Sequence, residues 1–175
     1  DTLLFNLIEA PSWLELDATT GVLSGTPSNS DVGDDVIEVM ASDGDIETDV
    51  KDLRLHVTNT NDTPTITSTE VTDVNEDAAY TYTFEASDVD VGDTLTLAAS
   101  TKPDWLTFNA TTGVLSGTPS NSDVGDHDIV LTATDGSNAV DTQSFTLTVT
   151  NVNDTPTITS TEVTDVNEDA AYTYT

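Results

Sequence analysis

Between residues 80 and 86 the side chains alternate. Tyr80, Tyr82, Phe84 and Ala86 are apolar, and Thr81, Thr83 and Glu85 between them are polar. The same period runs through Leu95 and Leu97 against Thr94 and Thr96, and through Ile129, Leu131 and Ala133. It returns in Phe145, Leu147 and Val149, opposite Ser144, Thr146 and Thr148. A period of two sends successive side chains to opposite faces of a pleated strand, so each run predicts a strand with one buried face and one wet face. Thr112-Gly113 and Asp135-Gly136 fall between runs and predict turns. No stretch carries a helical period. About seven short strands in about 90 residues is the pattern of a Greek-key sandwich.

The pattern is written twice. Trp13, Gly21, Asp43 and Asn59 recur as Trp105, Gly113, Asp135 and Asn151, each 92 residues on and without insertion. ATTGVLSGTPSNSDVGD stands at 18–34 and at 110–126, and NDTPTITSTEVTDVNEDAAYTYT at 61–83 and at 153–175. A period of this length is too long for a solenoid unit and fits one immunoglobulin-sized domain. With the NDTP segments as junctions, residues 1–62 are expected to be a module lacking its first strands. Residues 63–154 are then a complete module, and residues 155–175 the first strands of a third. The predicted fold class is all-β, a tandem of Greek-key sandwiches with a 92-residue repeat.

Composition and charge narrow the partners. Hydrophobic residues make up 35% of the chain, which is low for a globular protein. Few hydrophobes with high net charge often mean disorder, but the strict alternation argues for folded strands. Thirty-three acidic residues stand against Lys51, Arg54 and Lys102, for a net charge of −30. Phosphate binding needs Lys and Arg, so nucleic acid is excluded as a partner, as is an anionic membrane surface. Such a chain needs salt to screen its repulsion, or cations to bind. There is no cysteine to staple the fold. No run approaches the roughly 18 apolar residues of a membrane-spanning helix. The chain starts in mid-pattern without Met, so it is expected to be a window on something longer, and no leader peptide is visible in it.

Nothing points to catalysis. His56 and His127 are the only histidines, and their counterparts are Thr148 and Asp35, so no repeated site uses them. No nucleophile, base and acid form a set. Carboxylates are plentiful, but a glycosidase needs one tuned pair in a cleft. Trp13 and Trp105 read first as core residues, with a sugar-stacking platform as the alternative. Asn61, Asn109 and Asn153 each begin an Asn-x-Thr sequon, which reads as chance unless the source glycosylates.

PDWLTFNATTGVLSGTPSNSDVG, followed by IVLTATDG and NVNDTP, resembles a dystroglycan-type cadherin-like (putative-Ig) repeat of large bacterial surface and secreted adhesins. PSWLELDATTGVLSGTPSNSDVG and NTNDTP carry the same elements in the first copy. The resemblance implies immunoglobulin/cadherin-like β-sandwiches in linear arrays, an extracellular place at the cell surface or in secretions, and Ca2+ at the junctions. By that pattern the linker ligands are Asn59, Asn61 and Asp62, and again Asn151, Asn153 and Asp154. The Asp-x-Asp pair of the following module resembles Asp88 and Asp90, with Asp93 nearby. Asp43 and Asp135 resemble the late-strand acid, and Glu76 and Glu168 the early-strand glutamate. Asn59 and Asn151 stand where the usual linker has Asp. The family's mid-module acids are absent, and Asp31, Asp34, Asp123 and Asp126 are the candidates to replace them. The chemistry is consistent without the resemblance. Calcium takes six to eight hard oxygen ligands, and converging carboxylates with no Lys or Arg nearby repel each other unless a cation sits between them.

The expected function is a calcium-stiffened rod or self-associating filament, adhesive or structural, with a carbohydrate-binding module as the alternative. The expected partners are copies of the same module, with surface glycans as a further class. Residues 155–175 repeat strands that residues 1–62 lack. The tail of one chain is therefore expected to fill the incomplete module of the next by strand addition. A head-to-tail contact of that kind builds fibres.

Overall fold

The computed structural model describes residues 3–44 and 48–175. Its first strands are β1 Leu4–Glu9, β2 Leu14–Leu16, β3 Leu23–Gly25, β4 Gly33–Ser42 and β5 Thr48–Val57. After the segment 58–64 come β6 Thr65–Ile66, β7 Asp73–Asn75, β8 Tyr80–Thr83, β9 Ala86–Ser87 and β10 Thr96–Thr101. β11 Leu106–Asn109, β12 Val114–Gly117, β13 Gly125–Thr134 and β14 Val140–Thr150 complete the set. The fold is all-β, as the alternation predicts. No helix among the described residues is long and apolar enough to cross a membrane.

From residue 63 onward two sheets face each other. One has the order β10-β13-β14-β7 and the other β11-β12-β8, with the small pair β6-β9 alongside. All neighbours are antiparallel except β7, which runs parallel to the end of β14. The predicted inward rows meet between the sheets. Tyr80, Tyr82, Phe84, Leu106, Leu115, Ile129, Leu131, Ala133 and Leu147 form one buried cluster. Each large apolar side chain there contributes about 1.5–3 kcal/mol through burial. Tyr80 meets Trp105 edge-on, with ring centroids 6.3 Å apart, and Tyr82 meets Phe145 at 5.9 Å. Trp105 packs against this cluster, as its core reading requires.

Two features depart from the alternation. The single run read over 80–86 is two strands, because the backbone changes partner in the middle. Phe84 N–H donates to the Gly113 carbonyl at 2.9 Å, while the Glu85 carbonyl accepts from Thr67 N–H at 2.9 Å. Single 3-10 turns stand at Asn29–Asp31 and Asn121–Asp123. Three residues are too few to show a helical period, and a Ser-x-x-Asp capping box makes each one. In the second turn Ser120 N–H donates to the Asp123 carboxylate at 2.8 Å.

The strands before residue 58 form the sheets β1-β4-β5 and β2-β3. Among the described residues β3 pairs only with β2, whereas β12, its counterpart in sequence, sits between β11 and β8. Among these first strands Ile37 is the fully buried hydrophobic residue, and Leu53 and Val36 remain exposed. Residues 155–175 pair with no described strand and hold a turn over Glu168–Ala170.

Candidate metal centre

The sequence DVDVGD after β9 leaves the strand, because the Asp88 side chain and the Asp90 carbonyl both bond within it. Asp88 Oδ1 accepts the N–H of Asp90 at 2.9 Å, and Asp93 N–H donates to the Asp90 carbonyl at 3.2 Å. Gly92 closes the loop at φ 89°, a left-handed conformation that favours glycine. The result is a knot of three carboxylates. One oxygen from each of Asp88, Asp90 and Asp93 lies within 4.8 Å of the others.

A second loop leans on this knot. Asp135 follows β13 and organises the turn to β14, its Oδ1 accepting the N–H groups of Ala139 at 2.7 Å and Ser137 at 2.9 Å. Gly136 passes so close that a Cβ there would lie 2.6 Å from Asp93 Oδ1. The segment between β5 and β6 supplies the third side. Asn61 Nδ2 donates to Asp135 Oδ2 at 2.8 Å, and Asp62 N–H donates to Asp90 Oδ2 at 2.8 Å. Asn61, Asp62, Asp88, Asp90, Asp93 and Asp135 therefore meet at one place.

The electrostatics of this place are unbalanced. Asp90 is 6% exposed and Asp135 5% exposed. Asp88 Oδ2 and Asp90 Oδ1 are buried with no hydrogen-bond partner. Among the described residues no lysine or arginine pairs with the group. The Asn61 amide, ahead of the backbone N–H groups of Ala139 and Ser137, holds the Asp135 carboxyl below the usual carboxylate range, against the opposing effect of its burial. Buried carboxylate oxygens without partners cost free energy. A hard divalent cation would supply what they lack, and an all-oxygen donor set fits calcium better than any metal that prefers nitrogen or sulfur.

At the far end of the sandwich the same parts recur around Glu76, which is 2% exposed. Its Oε1 accepts the Val152 N–H, and its Oε2 is buried without a partner. Asn153 Nδ2 donates to the Asp154 carbonyl at 3.2 Å, as Asn61 does to that of Asp62 at 2.7 Å. Asn59 and Asn151 lie exposed in the segments that follow β5 and β14. Asp43 is exposed at the end of β4, and Glu168 is exposed in the turn of 155–175.

The mid-module acids turn out to be occupied elsewhere. Asp31 and Asp123 cap the 3-10 turns, Asp34 pairs with His56 at 2.7 Å, and Asp126 accepts the Thr148 hydroxyl at 2.7 Å. The neighbouring asparagines reach the segments after β5 and β14 instead. Asn29 Nδ2 donates to Asp62 Oδ2 at 2.6 Å, and Asn121 Nδ2 donates to Asp154. The signal in the sequence is the unchanged SNSD at 28–31 and 120–123, but an Asn beside a capping Ser reads as a turn former first. The sequon at Asn61 has its amide nitrogen already engaged, by Asp135 and by the Asp62 carbonyl.

A family model described as a putative Ig domain matches residues 3–58 and again residues 63–150. The serine-rich adhesin for platelets of Staphylococcus aureus (strain MRSA252) is 27% identical over 145 residues, covering 80% of this chain and 10% of that protein. The chain thus spans a tenth or less of the length of the curated relatives it matches. The crystal structure of mouse cadherin-23 EC22-24 superposes with a TM-score of 0.60 at 19% identity, covering 86% of this chain and 53% of that one, a likeness of fold. An endo-fucoidan hydrolase from glycoside hydrolase family 107 is 29% identical over 87% of this chain and 24% of its own, with a TM-score of 0.46. That superposition is too loose to bear on fold or chemistry.

Proposed function

The chain belongs to the putative Ig domain family, and we propose that it is a non-catalytic, extracellular adhesive or structural array whose junctions are stiffened by calcium. One observation carries this reading: Asp88 and Asp90 hold orphaned, buried oxygens beside the segment Asn61-Asp62, which is itself tied to the 3-10 turn at Asn29 and to the other carboxylate oxygen of Asp90. Asp88, Asp90, Asp93 and the carbonyl oxygen of the Asn61 side chain would hold the ion. Bound there, calcium would neutralise the carboxylates and fix the angle between residues 1–62 and residues 63–154, which we take as successive modules. Asn151, Asn153, Asp154 and Glu76 belong to the next junction, toward the module begun by residues 155–175. Asn59, Asp43 and Glu168 are assigned to junctions by resemblance to the dystroglycan-type cadherin-like pattern.

The likeness to a staphylococcal surface adhesin supports a place at the cell surface or in secretions. Self-association, head to tail or by strand complementation, is part of the same reading, with surface glycans as the alternative class of partner. A carbohydrate-binding module needs aromatic residues on one exposed face, and Trp105 is spent on the core instead.

Calcium titration of the whole chain by calorimetry tests the metal reading. Saturable binding that is lost in a double Asp88→Asn/Asp90→Asn variant is expected. Binding that survives the double variant, or no binding at all, overturns it.

A further inference from the structure

We propose that Asn29 and Asn121 are positioning residues, each clasping an aspartate further along the chain, and that Asp62 and Asp154 serve as tethers in that clasp rather than as ligands of an ion. This rests on the calcium reading above and deepens it, by naming what holds the Asn61-Asp62 segment before any ion arrives. Asn29 Nδ2 donates to Asp62 Oδ2 at 2.6 Å, and Asn121 Nδ2 donates to Asp154 Oδ2, in both cases 33 residues on. The contact is made beside the sheet β1-β4-β5 and again beside the sheet β10-β13-β14-β7.

The base of the clasp is fixed. Each asparagine opens a 3-10 turn, Asn29–Asp31 or Asn121–Asp123. The acid of each turn is taken up by its own cap. Asp31 Oδ2 accepts the Ser28 N–H at 2.7 Å and the Ser28 hydroxyl at 2.6 Å. Asp123 Oδ2 accepts those of Ser120 at 2.8 and 2.7 Å. Each turn leads straight into a long strand, where Gly33 stands opposite Val57 and Gly125 opposite Val149. The turn therefore lies beside the end of the strand that the segment leaves, and the asparagine reaches across to it.

Other bonds hold the far side of the segment. Asp62 N–H donates to Asp90 Oδ2 and Asn61 Nδ2 to Asp135 Oδ2, both at 2.8 Å. Asp62 is thereby gripped twice, by its side chain from behind and by its backbone from ahead. Among the described residues, the carboxylates that converge as a metal group are those of Asp88, Asp90 and Asp93, and Asp62 is not one of them. The Asn29 amide needs an acceptor oxygen from residue 62, not a charge. Ordering the segment in advance removes conformational entropy that ion binding would otherwise have to remove. Calcium affinity should therefore depend on an amide that never touches the metal.

The test exchanges the partners in the whole chain. Asn29→Asp with Asp62→Asn keeps a hydrogen bond between the two positions and reverses its direction. In chelator, the backbone amide hydrogen of residue 62, followed by NMR, is expected to exchange about twofold to tenfold faster in Asn29→Ala, the range for one lost hydrogen bond. It is expected to return to the parent rate in the exchanged pair. An unchanged rate in Asn29→Ala, or no return in the pair, overturns the clasp whether or not calcium binds. Asn121→Ala is the control and is expected to leave residue 62 alone. Faster exchange at residue 62 in that variant would mean a general softening and overturns the clasp too. Calcium titration by calorimetry then separates tether from ligand. Affinity is expected to fall about twofold to tenfold in Asn29→Ala and to return in the exchanged pair, although the charge of residue 62 has moved. A loss in the pair as deep as in Asp88→Ala makes Asp62 a ligand and overturns the assignment. Terbium, a hard oxygen-seeking ion, stands in for calcium in a third readout. Luminescence lifetimes in H2O and D2O report the water on the bound ion. That hydration is expected to be equal in the parent, Asn29→Ala and the exchanged pair, and to rise in Asp88→Ala. Extra water in Asn29→Ala overturns the positioning role. No ion binding by the parent, with amide exchange as expected, sinks the calcium reading alone. Ion binding with amide exchange unchanged sinks the clasp alone.

Discussion

The backbone N–H of Asp62 donates to Asp90 Oδ2 at 2.8 Å, and the side chain of the same Asp62 accepts the Asn29 amide at 2.6 Å. One residue between β5 and β6 thus joins the 3-10 turn behind it to the carboxylate knot ahead of it. Asp90 must keep an acceptor for that bond while sharing a small space with Asp88 and Asp93. This creates a sign change that can be measured. Asp90→Asn keeps an acceptor oxygen and removes one of three crowded charges. In chelator the variant should melt at the same temperature as the parent or higher, because repulsion has been relieved. In calcium it should melt lower, because a ligand charge is gone. Differential scanning calorimetry under both conditions checks this, and a lower midpoint in both would show that the carboxylates need no ion.

Asp135 gives the acid limb of stability. Its carboxyl is held below the usual range, first by the Asn61 amide and then by the N–H groups of Ala139 and Ser137. A depressed folded-state value stabilises the fold above the unfolded value of about 4 and loses that stability as pH falls through the folded one. The melting temperature should therefore drop below about pH 4. Asn61→Ala removes the largest cause, so its midpoint should depend less on pH over that range. An acid limb of unchanged steepness would show that Asn61 does not govern Asp135.

Tyr80 gives the alkaline limb. Burial, and then the neighbouring Tyr82, pushes its hydroxyl up to about 12. A raised value favours the neutral form in the fold, so this stability is intact below the ordinary value of about 10 and is lost as pH rises through 12. Absorbance at the phenolate band should show one tyrosine ionising together with unfolding. Tyr80→Phe should remove that step. It should also cost about 0.5–1.5 kcal/mol at neutral pH, through the lost bond to the Val71 carbonyl. Persistence of the late step in the variant would assign it to another tyrosine.

Gly117 marks a close approach rather than a turn. A Cβ there would strike the Trp105 carbonyl and come within 3.0 Å of the indole ring. Gly117→Ala should destabilise the fold by about 1–3 kcal/mol through overpacking, read from urea unfolding. A neutral result would mean that Trp105 can withdraw, and would weaken its place in the core.

The strands were legible because burial imposes a period that the sequence must obey. Ile129, Leu131 and Ala133 line up inward as written, and each is fully buried. The break at Phe84 was hidden, since a strand that changes sheets keeps its alternation and changes only its partners. At the carboxylate cluster, the residue types for a hard cation stood out, and Asn61, Asp62, Asp88, Asp90 and Asp135 do converge. Asn29 and Asn121 did not stand out, because their role comes from a contact 33 residues away in sequence. Asn59 shows the reverse: it sits in a motif position and lies exposed after β5.

The central claim is that a cation completes the junction, and thermal unfolding of the whole chain tests it most directly. A ligand bound only by the folded state raises the midpoint by mass action. The account predicts a large rise in millimolar calcium over chelator, with neither magnesium nor an equal ionic strength of sodium chloride reproducing it. Equal midpoints in calcium, magnesium and salt would contradict it and would show that the fold tolerates the carboxylates of Asp88, Asp90 and Asp93, with the buried oxygens of Asp88 and Asp90, without an ion.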